Sequence, residues 1–100
     1  MSVDGNWRLV VQSPMGKQHL AVALHEDHGT LSGTLTNLDR QLTTDIFDGS
    51  VADGTLEWKV TLKQMKMTLV FTTTVAEDTM TGKVKAGLFG RFAVAGERER

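Results

Sequence analysis

Apolar and polar residues alternate along most of this chain. The first apolar set consists of Trp7, Leu9 and Val11, which recur at every second position. Side chains of a strand point alternately to its two faces, so each such set marks one buried face of a strand. Seven further sets follow: Leu20, Val22 and Leu24; Leu31, Gly33 and Leu35; Leu42, Thr44 and Ile46; Leu56, Trp58, Val60 and Leu62; Met67, Leu69, Phe71, Thr73 and Val75; Met80, Gly82 and Val84; Phe92 and Val94.

Turn-forming residues separate these sets. They are Pro14-Met15-Gly16, Asp27-His28-Gly29, Asn37 to Arg40, Asp48-Gly49, Asp53-Gly54, Glu77-Asp78 and Gly87 to Gly90. Short connections between successive strands indicate an antiparallel meander, and closure into a barrel removes its unpaired edges. We therefore predict an all-β fold, an eight-stranded antiparallel up-and-down barrel, with a small open sandwich as the alternative.

Composition narrows the functional classes. The 100 residues predict one domain over residues 1–100, and the absence of cysteine excludes disulfides and cysteine metal sites. A net charge of −1 gives no broad attraction to nucleic acid or to an anionic membrane. There is no apolar run of the roughly 20 residues that a membrane helix needs, and no visible secretory signal. We expect a cytoplasmic protein with no membrane span and no nucleic-acid partner.

The chain contains a faint internal repeat. A shift of 49 residues superimposes Asp4-Gly5 on Asp53-Gly54 and Gly33 on Gly82. The shift also places the inward-facing positions of one half on the inward-facing positions of the other. The repeat indicates two similar halves of one barrel, or only shared turn chemistry. Gly33 and Gly82 occupy inward positions, where glycine either creates room or permits a strand to bend; bending is the favoured explanation.

The two predicted ends of the barrel differ in chemistry. In a meander, alternate turns lie at the same end. The turns near Asp27, Asp48 to Asp53 and Glu77-Asp78 share one end with the N-terminus and are tight and acidic, which is typical of a closed end. Each turn at the other end carries an apolar residue; these are Met15, Leu38, Met65 and Leu88-Phe89. This apolar end is a portal for a ligand, a contact surface for a partner, or a plug of inward-folded side chains.

The leading hypothesis is a binding module that takes a small apolar molecule through the apolar end. Ligand pockets are mostly apolar with few polar anchors. The candidate ligand-binding residues are Met15, Leu38, Trp58, Leu62, Met65, Met67, Phe71, Leu88, Phe89 and Phe92.

Catalytic and metal chemistry find little support in the sequence. No set of titratable side chains converges on the inward face, so no catalytic residue and no cofactor is assigned. The segment His25-Glu26-Asp27-His28 has metal-ligand residue types, but it occupies a tight turn in which such side chains are normally solvated, so no metal site is predicted. Basic residues are scattered among acidic ones, which disfavours an oligonucleotide-binding barrel. A small cyclase or isomerase that mainly shapes an apolar substrate remains the third hypothesis.

Small apolar residues also occupy outward positions of the first, second and last strands. They are Val10, Ala21, Ala23, Ala93 and Ala95. If the barrel closes, these strands are neighbours, and the residues form one patch suited to a homodimer; the alternative is scattered surface alanines. The second functional hypothesis is therefore a structural or interaction protein with a filled core, acting as a homodimer or as a partner surface.

The two ends of the chain resemble those of calycin barrels, the lipocalin, fatty-acid-binding and avidin-like group. Gly5-Asn6-Trp7 is similar to their Gly-x-Trp opening, and Gly96-Glu97-Arg98 places a basic residue at the end of the last strand. The chain also looks like small bacterial β-barrel domains. The resemblance implies that Arg98 packs over Trp7 and closes the barrel at that end, with a contribution of about 0.5–2 kcal/mol.

Overall fold

The computed structural model describes residues 3–14, 16–62, 66–87 and 90–99. Within these ranges nine strand segments form a single antiparallel sheet. They are β1 (Gly5–Ser13), β2 (Gly16–Asp27), β3 (Thr30–Asn37), β4 (Leu42–Asp45), β5 (Phe47–Ala52), β6 (Thr55–Leu62), β7 (Met67–Ala76), β8 (Thr79–Lys85) and β9 (Arg91–Arg98).

The sheet closes on itself. Its order is β2-β1-β9-β8-β7-β6-β5-β3-β4, and β2 also pairs with β3. Segments β4 and β5 are separated only by Ile46, and both pair with β3, so they are two parts of one strand. The predicted eight-stranded antiparallel up-and-down barrel is confirmed.

The turn predicted at Asp48-Gly49 is wrong. These residues lie inside β5, where Gly49 is opposite Leu31 of β3. The register against β6 shifts between Phe47 and Ser50, which marks a bulge, and Asp48 has a φ of 50°. Asp and Gly are favoured both in such a bulge and in a tight turn, because both structures need residues that tolerate a left-handed backbone conformation. The true turn is at residues 53–54, where both φ values are positive, as a type I′ hairpin requires.

Among the described residues, segment β4 has a partner on one side only. It pairs with β3, whereas β6 pairs with β5 and β7 in the described part of the chain. Three of its four residues, Leu42, Thr43 and Asp45, are exposed. The described residues of β4 and β6 therefore share no ladder of hydrogen bonds, and this gap in the described wall lies at the apolar end.

The inward sets form one continuous hydrophobic core. Its largest members, Trp7, Trp58 and Phe71, have no exposed surface. Burial of each such side chain contributes about 1.5–3 kcal/mol. The structure differs from the predicted pattern at Val3, which precedes β1 and joins the core, and at Leu42, which stays 47% exposed at the rim.

Glycines permit close strand contacts at equivalent places in the two halves. A Cβ on Gly33 would lie 1.8 Å from the Ala23 carbonyl oxygen, and one on Gly82 would lie 2.1 Å from that of Thr72. Ala23 and Thr72 are separated by the same 49 residues as the two glycines. The neighbouring backbone occupies the space that a side chain would need, which supports strand bending as the reason for glycine.

We predict that Gly82→Ala lowers the free energy of unfolding by about 2–3 kcal/mol, because the new methyl group must push the β7 backbone away. Thr81→Ala, at the next and exposed position, is the matched control and should change stability by less than about 1 kcal/mol. Urea unfolding of both variants measures this. Equal stability of Gly82→Ala and the parent would contradict the close contact.

Candidate functional site

Arg98 closes the acidic end of the barrel. Its guanidinium carbon lies 4.5 Å from the ring centroid of Trp7, in the cation–π geometry expected from the calycin resemblance. Its Nε donates to Asp78 Oδ1 at 3.0 Å, and its Nη1 donates to the Asp4 carbonyl oxygen at 2.6 Å. Trp7 Nε1 donates to the Val3 carbonyl oxygen at 3.0 Å. These contacts join the first and last strands and leave Trp7 without exposed surface.

A shallow hollow of about 230 Å³ lies outside this closure, which the sequence did not predict. Glu26, Glu77 and Arg98 contribute its charges, and Leu56 and Val75 are among its apolar lining residues. The Arg98 guanidinium is already held by carbonyl and carboxylate groups. The hollow therefore offers a ligand mainly carboxylates beside apolar side chains.

The histidine segment near this end makes local contacts. His25 Nδ1 lies 3.1 Å from Asp4 Oδ2, and Asp4 Oδ1 accepts the Glu26 amide at 2.7 Å. His28 pairs with the adjacent Asp27. Among the described residues, no group of three or more histidine or acidic side chains is arranged to hold a metal ion.

We predict that Arg98→Met destabilises the protein by about 1.5–3 kcal/mol, since it removes charge-assisted hydrogen bonds and the cation–π contact but keeps an apolar stem. The control is Arg8→Met, because Arg8 makes a largely exposed ion pair with Glu99. Its loss should cost at most about 1 kcal/mol. Thermal and urea unfolding compare the two, and equal losses would argue against a special role of Arg98.

The middle of the barrel is filled with side chains. Trp58 and Phe71 stack with centroids 5.2 Å apart and an interplanar angle of 9°, and neither ring is exposed. Met80 and Leu56 are buried beside them. A molecule at this level would have to displace side chains, so Trp58 and Phe71 can serve only as the floor of a pocket that opens above them.

Two polar atoms are buried in this filled region without a hydrogen-bond partner in the described structure: Trp58 Nε1 and Thr73 Oγ1. Such a group costs about 1–3 kcal/mol, because it has lost its bonds to water. Leu56 is opposite Thr73 and Phe71 is opposite Trp58, so apolar neighbours surround both groups.

We predict that Thr73→Val raises the free energy of unfolding by about 1–2 kcal/mol, because it removes the unpaired hydroxyl and keeps the shape of the side chain. Thr74→Val, on the exposed face of the same strand, is the control for β propensity. The measurement is urea unfolding. A loss of stability specific to Thr73→Val would mean that the hydroxyl is hydrogen-bonded.

At the apolar end, the inward side chains become partly exposed. Leu62, Met67 and Phe92 are half-buried, and Leu38 is half-buried in its turn, where its amide donates to the His19 carbonyl oxygen at 2.9 Å. The other predicted ligand-binding residues at this end, Met15, Met65, Leu88 and Phe89, lie outside the described residues.

Leu42 belongs to this rim and was missed as a site residue. Its inward phase predicted burial, but no described residue of β6 pairs with β4, and Leu42 is 47% exposed. Inward phase alone could not reveal this, since exposure depends on whether a neighbouring strand covers the position.

A hydrogen-bonded turn shapes the rim beside Leu42. Asn37 Oδ1 accepts the amides of Asp39 and Arg40 at 3.0 and 3.2 Å. The His19 amide donates to Asp39 Oδ2 at 3.1 Å, and this bond holds the pKa of Asp39 below its usual value. The Asp39 carboxylate therefore stays ionised and ties the turn to β2.

The fold separates charges that are scattered along the sequence. The apolar end carries five exposed cations, which we call the basic rim: Lys17, Arg40, Lys66, Lys85 and Arg91. Asp39 is the one carboxylate in the described turns at that end. The opposite end carries Asp4, Glu26, Asp27, Asp53, Glu77, Asp78, Glu97 and Glu99. The acidic end expected from the turn residues thus faces a basic end, although basic and acidic residues are scattered along the sequence.

The outward apolar residues do not form an uninterrupted patch. Val10 is opposite Ala95, but Arg8 lies opposite both Ala21 and Glu97. Val10 and the two β2 alanines are half-buried, whereas Ala95 is exposed. Arg8 therefore separates a strip on β1 and β9, which includes Ala93, from a strip on β2 formed by Ala21 and Ala23.

Comparison with protein-family models, with curated proteins and with solved structures found no match to this chain. None of the described segments forms a helix long and apolar enough to cross a membrane. The barrel geometry and its two dissimilar ends therefore carry the functional argument.

Proposed function

We propose that this protein is a calycin-like binding module that takes a small apolar molecule at its apolar end. The observation that carries the proposal is a gradient of exposure along the barrel interior. Trp58 and Phe71 have no exposed surface, Leu62 and Met67 are half-buried, and Leu42 at the rim is 47% exposed. Apolar surface presented at one mouth of a barrel is typical of a ligand site.

The gap between β4 and β6 supports this location. The described residues of β4 and β6 share no ladder of hydrogen bonds, so their side chains at the mouth can move apart without breaking one. The opposite end is held by the contacts of Arg98, so access to the interior is easier at the apolar end. Trp58 and Phe71 would form the floor of the site, and Leu38, Leu42, Leu62, Met67 and Phe92 its rim.

The calycin likeness supports the same function at the level of architecture. The packing of Arg98 over Trp7 reproduces the relation between the last strand and the Gly-x-Trp opening that the resemblance implied. Fold alone does not decide function; the proposal depends on the exposed rim.

A second candidate is an interaction protein with a filled core. The absence of exposed surface on the largest interior side chains favours it, and the pair Val10–Ala95 offers a small apolar strip for a homodimer. Sedimentation as a monomer at high concentration would count against the dimeric form.

We predict saturable binding of the neutral dye Nile red, with affinity lowered about fivefold by Leu42→Ser, since roughly 1 kcal/mol of apolar contact is lost. Phe47→Ser is a matched control, because Phe47 is 40% exposed but faces outward opposite Lys59. It should leave affinity unchanged. Fluorescence titration measures the dissociation constant of Nile red for the parent protein and for the two variants. No saturable binding, or an equal effect of both substitutions, would refute a site at the apolar end.

A further inference from the structure

The outer wall next to the apolar end has a basic groove. It has a volume of about 430 Å³ and is formed by β7, β8 and β9. Its lining residues are Val70, Thr72, Gly82, Lys83, Lys85 and Arg91. Three cations thus border one concave surface, beside a hydroxyl group that can also donate a hydrogen bond.

The cations of this groove face each other without an intervening carboxylate. Lys85 is directly opposite Arg91, and Lys83 is on the same face of β8. Like charges in directly opposed positions of a sheet are destabilising. In the described chain, other cations of the outer wall do have partners, as with Arg8 and Glu99 or Lys59 and Asp48, but none of the ion pairs includes these three.

The groove and the apolar rim lie on opposite faces of the same strand ends. Lys85 and Arg91 point outward, and the adjacent Ala86 and Phe92 are buried or half-buried. The rest of the basic rim continues around the mouth, where Arg40 lies two residues from exposed Leu42. Exposed cations therefore share this end with exposed Leu42 and with half-buried apolar side chains.

We infer that the apolar end docks on an anionic lipid bilayer. Cations attract a negatively charged membrane surface, and apolar side chains between them insert at the boundary of headgroups and acyl chains. Lipid phosphates would occupy the groove and relieve the repulsion between Lys85 and Arg91. The carboxylates of the opposite end face away from the membrane, so the charge separation also orients the protein.

This docking goes beyond the proposed ligand site and does not require it. A neutral surface would leave the basic rim without a counter-charge, and a purely polar polyanion would leave Leu42 exposed. An anionic bilayer provides both a counter-charge for the basic rim and an apolar environment for Leu42.

The test is cosedimentation with vesicles of phosphatidylcholine alone and with 30% phosphatidylglycerol. We expect at least tenfold stronger partitioning into the anionic vesicles at about 0.05 M salt and its loss at about 0.5 M, because screening shortens the reach of surface charge. The double variant Lys85→Gln/Arg91→Gln should lower the partition coefficient about 25-fold, at about fivefold for each charge. Leu42→Ser should lower it severalfold.

Arg8→Gln is the matched control, because it removes one cation outside the basic rim and should change partitioning by less than about twofold. Equal binding to both vesicle types would overturn the inference. So would a loss with Arg8→Gln as large as that with Lys85→Gln alone, since net charge rather than the basic rim would then be responsible. Heparin binding without vesicle binding would replace the bilayer by a polyanion and also overturn it.

Nile red titration without vesicles separates this inference from the proposed function. Dye binding without vesicle binding would overturn the docking alone, whereas vesicle binding without dye binding would support docking and refute the ligand site. Urea unfolding of each variant confirms that it is folded; the double Gln variant should be at least as stable as the parent, because the opposed charges are gone.

Discussion

The pairing of β1 with β9 is the contact on which the rest of the molecule depends. It joins strands from opposite ends of the chain and converts a meander with two open edges into a closed barrel. Such a long-range contact carries a large entropic cost of closing the chain. Arg98 helps to offset that cost, because it is the last residue of β9 and it binds the ring of Trp7 on β1 and the carbonyl group of Asp4 just before it.

Closure also gives the barrel its polarity. In an up-and-down barrel every second connection lies at the same end, so residues far apart in sequence gather there. Lys17, Arg40 and Lys85 thus share one end, while Asp27 and Glu77 share the other. A chain with a net charge of −1 becomes a molecule with one basic and one acidic end, and average charge is a poor guide to its partners.

Local patterns predicted most of the fold, and they failed where neighbouring strands decide the outcome. Alternation located the core, and the shift of 49 residues anticipated the matching close contacts at Gly33 and Gly82. Asp48-Gly49 looked like a turn because a bulge needs the same backbone conformation. The exposure of Leu42 depends on which distant segments cover it, and among the described residues β4 pairs only with β3. No single window of sequence contains such a relation.

Favourable and unfavourable features are distributed unequally along the barrel axis. The acidic end has the hydrogen bonds of Arg98, and the middle has the stacked rings of Trp58 and Phe71, although two polar atoms there are unpaired. The apolar end carries an exposed leucine and the opposed Lys85 and Arg91. Either feature would be improved by a simple substitution if stability alone were selected. Local rules tend to be broken where a surface is used for binding, which is why the apolar end, rather than the acidic end closed by Arg98, is the place to look for function.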